Sequence, residues 1–170
     1  MNQPVLTAED VMAWNEKTSQ EWRKLATEHP EMLALPCDIA GTKVVGELLQ
    51  HIVAVELRYA ERLAEQPVSD YAAIPYDSAA SLYATHDRAA ALFRQLLTSD
   101  VDWDGAFDFA TRTMGPARST RKAVFFHAHL HGIRHYAQLS TLVRQHGFKQ
   151  EWPLDYLMMH IERLEPGGAT

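Results

Sequence analysis

Four histidines fall within nine consecutive residues, in the run His127-Ala-His-Leu-His131-Gly-Ile-Arg-His135, in a chain that has nine histidines among 170 residues. On a helix, residues four apart lie one above the other on the same face. Two imidazoles so placed can converge on one divalent metal ion. His127 and His135 are two turns apart, about 12 Å along the axis, and cannot share a small ion. The spacing therefore offers two pairs, His127 with His131 or His131 with His135. His129 points to nearly the opposite face, to be exposed or packed elsewhere.

Two histidines leave a metal site incomplete, because a catalytic site usually has three protein ligands and an open position. The third must come from another helix. His51, in the segment LLQHIVAVEL, is the best candidate. It lies at the edge of an apolar stripe of Val44, Leu48, Val55 and Tyr59. Glu47, one turn earlier, would orient it if it is more than a solvated helix glutamate. His86, beside Asp87, reads as exposed. His29 and His146 sit where helices end, a place that favours a partly charged imidazole. His160, in a short last helix, ranks below His51.

At about 100° per residue, Val124, Ala128, Leu139 and Leu142 form one apolar wing of the histidine helix. Phe126, Leu130, Ile133 and Ala137 form another. His127, His131, Arg134 and Gln138 fall between the wings, with His135 at the edge of the first. Lys122, His129, Tyr136 and Ser140 take the opposite side. A polar stripe between apolar wings suggests an internal site or the mouth of a cleft, where His127 and Arg134 are candidate contacts for an anionic substrate.

Helices dominate the elements that must hold these residues. The first runs from about Thr7, a good N-cap followed by acids in the first turn, to Glu28 before His29-Pro30. Val11, Trp14, Thr18, Trp22 and Leu25 share one face. Thr42 is read as the cap of a second helix over about 43–66, ended by Pro67. Asp77 or Ser78 caps a third, ending near Thr98. Between Asp100 and Pro116 the pattern alternates briefly, with Phe107 and Phe109 on one side, and reads as a long crossover loop with some β character. Ser119 or Thr120 caps the fourth helix, which stops at Gly147. Pro153 opens a short fifth helix, and the tail from Glu165 is frayed. The expected fold is all-α, a four-helix bundle with a short C-terminal helix, forming one domain over 1–170.

Composition is that of an ordinary soluble globular protein, 46% apolar and 22% charged. No apolar run approaches the length of a membrane span, and the N-terminal residues lack the basic and apolar regions of a secretory signal. A net charge of −6 argues against a nucleic-acid surface; the local basic stretch from Arg112 to Lys122 reads as a solvated loop leading into a helix. Cys37, the only cysteine, permits no intrachain disulfide and reads as a buried small residue in a reducing compartment. The expected setting is cytoplasmic, with no membrane and no nucleic acid.

The pattern His127-x-x-x-His131-x-x-x-His135-Tyr136-Ala137-Gln138, followed by LSTLVRQHG, together with Thr42 and the LLQHI segment, resembles the DinB/YfiT-like superfamily of metal-binding helical proteins. The likeness covers about residues 7–158. It implies the up-down-down-up bundle, frequent homodimers, and a ligand set falling on His51, His131 and His135, with Gln138 favouring the second histidine pair. The Arg-Gly of the family motif is here Tyr136-Ala137, which leaves the triad intact and removes that arginine; Arg134 is the nearest substitute charge. Zinc and nickel both suit imidazole. Some relatives transfer or isomerise small substrates with a low-molecular-weight thiol such as bacillithiol, mycothiol or glutathione. The resemblance thus implies a metal-dependent thiol S-transferase; the alternatives are a non-catalytic metal-binding stress protein that acts through a protein partner, and histidines that only pack.

Overall fold

The computed structural model of the chain describes residues 4–111 and 115–162. Arg112, at one end of the basic stretch, and the tail from Glu165 lie outside them. Helix α1 spans Ala8–Glu28 and begins as its sequence requires. Thr7 and Asp10 form a reciprocal cap: the Asp10 amide donates to Thr7 Oγ1 (3.1 Å), and the Thr7 amide donates to Asp10 Oδ2 (3.0 Å).

Helix α2 spans Val45–Leu63, two residues shorter at its start than expected, and Thr42 does not cap it. Pro36 and Val44 form an isolated antiparallel bridge, which holds Val44 extended and delays the helix. Thr42 instead donates to Ile39 O (2.7 Å) and to Cys37 Sγ (3.3 Å), inside the preceding turn. Glu47 turns back to accept from the Lys43 amide (2.7 Å), so its carboxylate closes the helix start. Cys37 is buried.

Helix α3 spans Ala79–Leu97, with Ser78 as its N-cap. The next segment corrects the all-α expectation. Strand β1, Ala106–Thr111, pairs antiparallel with β2, Gly115–Thr120, in a two-stranded ribbon. The alternation seen in sequence is a real strand signal: Phe107 and Phe109 stack on one side (5.2 Å between ring centroids), while Arg118 forks onto Asp108 across the ribbon (2.6 and 2.8 Å). The other described basic residues of that stretch are also matched, Arg121 to Glu65 and Lys122 to Asp104.

Strand β2 passes straight into helix α4, Arg121–Gln145, with Thr120 Oγ1 accepting from the Ala123 amide (3.2 Å). Gly147, at φ +88°, takes the left-handed conformation that ends the helix. The fifth helix is reduced to a single 3-10 turn at Tyr156–Met159, and Trp14 Nε1 donates to Leu154 O (2.9 Å) to hold that segment against α1.

Helices α1 and α2 each pack on both α3 and α4. The core between them contains Trp22, stacked on Tyr136 (5.8 Å), with Leu48, Ile52, Leu57, Phe93 and Leu139. Each such side chain contributes about 1.5–3 kcal/mol through its burial. The buried face of α4 differs from the expected one. The wing of Val124, Ala128 and Leu139 is buried. Leu130 and Ala137 of the second wing are exposed, and Phe125, His129, Gly132 and Tyr136 are buried in their place. The polar members of that face are satisfied inside, His129 by Phe125 O and Tyr136 by Ser19. A purely apolar criterion cannot see such a face. No helix among the described residues is long and apolar enough to cross a membrane.

Candidate metal centre

The approach of α4 to α2 brings the three imidazoles together. Gly132 stands where α4 meets α1 and α2. A Cβ built on it would lie 2.9 Å from Asn15 Nδ2, 3.1 Å from Glu56 Oε1 and 3.4 Å from Ile52 Cγ2. Without that atom the helices close in, and the residues beside Ile52 and Gly132, His51 and His131, meet across the seam.

His131 Nε2 lies 3.1 Å from His51 Nε2 and 3.1 Å from His135 Nε2. The ring centroids are 4.8 Å apart for His51 and His131, 4.4 Å for His131 and His135, and 5.1 Å for His51 and His135. Imidazole nitrogens bound to one ion at about 2.0–2.1 Å stand roughly 3.0–3.4 Å from each other, so the observed spacing suits a shared cation. The three side chains form the one group of metal-ligand type found among the described residues. His135 is buried, and His51 and His131 are half-buried.

Protonation favours the same role. Burial, aided by His135, His51, His127 and Arg134, pushes His131 down to about 2. Burial and then Arg134 lower His135 and His127. Both candidate ligands on α4, His131 and His135, are thus held toward the neutral form, the one a cation binds. His135 Nδ1 donates to Gln138 Oε1 (2.7 Å), which leaves the Nε2 lone pair facing the other two rings. That lone pair already has a partner, because Arg134 donates to it at 3.0 Å. Arg134 and a cation are competitors for the same electrons. His131 Nδ1 is buried without a hydrogen-bond partner, so the polar contacts of that ring run through its Nε2.

The centre opens on a cleft of about 420 Å³ between α2, α4 and the end of β1. His127 and Arg134, the expected substrate contacts, line it. The ring of His127 meets Tyr59 edge-on (5.5 Å) and tilts against His131 (5.4 Å). Residues that sequence reasoning missed also line it: Arg58 and Arg62. Their spacing from His51 was the available signal, since 51, 55, 58 and 62 follow one face of a helix.

The other histidines fall elsewhere. His86, expected to be exposed, is buried, and its Nδ1 donates to the buried Glu56 at 2.7 Å. Asp87 takes the outward direction instead and pairs with Arg23. Burial opposes a charge on His86, but Glu56 overcomes it and raises the imidazole above its ordinary value. His129 is packed elsewhere, buried between the rings of Phe93 (4.5 Å) and Phe125 (4.4 Å). His29 and His146 occupy the C-caps of α1 and α4. His160 meets Tyr156 edge-on and is exposed.

The sequence profile described as DinB family matches residues 1–165. No curated protein matches the chain.

Proposed function

The chain belongs to the DinB family, and from that membership we propose that it is a metal-dependent enzyme acting on a small molecule, with a low-molecular-weight thiol as co-substrate. The reading includes the family's up-down-down-up arrangement of the four helices. One observation carries it: three imidazoles converge, with His131 Nε2 3.1 Å from the Nε2 atoms of both His51 and His135, at a cleft large enough for a small molecule. His51, His131 and His135 would hold a divalent ion, zinc or nickel, since imidazole suits both. When bound, such an ion lowers the pKa of a thiol or water and polarises an electrophile.

The remaining roles belong to the chain itself. Gln138 keeps the His135 proton on Nδ1. His127 and Arg134, which line the cleft from α4, contact the anionic substrate beside the centre. The ribbon end at Ala110 and Thr111 walls off one side of the cleft. The test is elemental analysis of the purified, untagged protein, followed by thiol conjugation assays with bacillithiol, mycothiol and glutathione. A metal-loaded protein that binds none of these thiols refutes the reading.

The hydrogen bond from Arg134 to the His135 lone pair favours a second reading. In it the centre exchanges between a guanidinium and a cation, without turnover, and the protein acts in a stress response through a protein partner. It predicts a metal-dependent rise in melting temperature with no conjugation of any substrate.

A further inference from the structure

Beside the three imidazoles, the cleft carries concentrated positive charge. Arg58 and Arg62 stand one turn apart on α2, both half-buried, and Arg134 joins them from α4. Among the described residues lining this cleft there is no Asp or Glu. Like charges four residues apart on a helix repel. Burial, and then the charge of Arg58, lowers the pKa of Arg62.

The partners of the two α2 guanidiniums are backbone carbonyls. Arg58 donates to Ser69 O (2.6 Å), and Arg62 donates to Arg58 O (3.0 Å) and Ala110 O (3.1 Å). Glu61, the acid between them in sequence, is committed elsewhere. It is buried and accepts from the Ser69 amide (2.7 Å), the Ser69 hydroxyl (2.6 Å) and Arg88 (3.2 Å). Carbonyl dipoles fix where the two forks point, but they do not neutralise them. A half-buried cation pair is costly unless an anion completes it. Arginine forks match the paired oxygens of carboxylates and phosphates.

We infer that the cleft binds a small organic anion whose carboxylate or phosphate docks on Arg58 and Arg62, with its other end directed at the three-histidine centre. The second half rests on reading that centre as a metal site; the docking on the arginines does not. The cleft has room for a small molecule, and the Tyr59 ring, which Arg62 overlies at 5.4 Å, lies beside it for contact with an apolar part. Because Arg62 also holds Ala110 O, the ligand would bind against the ribbon wall.

The test is calorimetric titration of the full chain at fixed ionic strength with succinate, inorganic phosphate and neutral succinamide. Saturable binding of succinate or phosphate is expected, with no binding of succinamide; the two anion arms identify the head group. Arg58→Gln and Arg62→Gln should each weaken the anion about tenfold or more. Arg62→Lys, which keeps charge but loses the fork, should fall between, and guards against a variant that does not fold. Arg94→Gln, which pairs with Glu16 outside the cleft, should bind as wild type. Equal binding of succinate and succinamide, no binding of either anion, or arginine variants with unchanged affinity would overturn the inference. Elemental analysis and a repeat with His131→Ala separate the two readings. A wild type that holds no metal sinks the metal centre alone, while its anion binding still decides the role of the arginines.

Discussion

Gln138 Oε1 accepts the Nδ1 proton of His135 at 2.7 Å, one helical turn along α4. That bond fixes the tautomer and so decides which nitrogen of His135 is free to bind a cation. Outer partners of this kind typically change metal affinity 10- to 100-fold. Gln138→Ala should weaken zinc or nickel binding by about tenfold or more in a competitive chelator titration. Gln138→Glu, which keeps an acceptor there, should bind at least as well as wild type. Equal affinities for all three would show that the amide is not an orienting group.

Arg134 works in the opposite direction. It adds positive charge beside the triad and donates to the His135 lone pair at 3.0 Å. Arg134→Ala should therefore raise metal affinity, the reverse of what loss of a supporting residue would do. The same chelator titration reads it, and a weakened metal complex would contradict the competition.

His131 is the shared vertex, with both other nitrogens 3.1 Å from its own. His131→Ala should abolish tight metal binding and the rise in melting temperature that metal causes in wild type. His127→Ala, which removes the unused member of the i,i+4 series, should leave metal content unchanged by elemental analysis. If instead His127→Ala empties the protein of metal, the wrong histidine pair has been chosen.

Gly132→Ala should cost about 1–3 kcal/mol in denaturant unfolding, the usual penalty for overpacking, because its Cβ would crowd Asn15 Nδ2 at 2.9 Å and Glu56 Oε1 at 3.1 Å. The same push would part α4 from α2, so metal affinity should fall together with stability. A fully stable Gly132→Ala protein would mean that the seam is looser than described.

The buried His86–Glu56 pair gives a pH signature. Glu56 holds His86 above its ordinary value of 6.5. A group raised on folding contributes stability that is full below the unfolded value and is lost as pH rises through the folded value. Glu56→Ala should thus cost about 3 kcal/mol or more at acidic pH, and the gap between wild type and variant should shrink above the folded value of His86. Unfolding curves at several pH values check this. A gap that widens with pH would reverse the sign.

Periodicity and caps made much of the framework legible. Thr7, Ser78 and Thr120 sit at the starts of α1, α3 and α4, and Gly147 ends α4, because these signals act over a few residues. Spacing along one helix also brought out the histidine pairs. Three features were not legible, for reasons of distance. The late start of α2 depends on the bridge between Pro36 and Val44. The ribbon depends on pairing Phe107 with Ser119 and Phe109 with Ala117, across the turn. The burial of His86 depends on Glu56 from a different helix, which local charge, dominated by Asp87, conceals. The choice of His135 over His127 came from the family likeness and not from the periodicity, which allowed both.

His51 and His131 are 80 residues apart in the chain, with α3 and the whole ribbon between them. A cation clasped by both would act as a removable cross-link, closing one long loop in the way a disulfide does, but under the control of free ion concentration instead of redox state. Resistance to unfolding and to proteolysis would then rise with each increment of metal supplied, even in a variant stripped of all turnover.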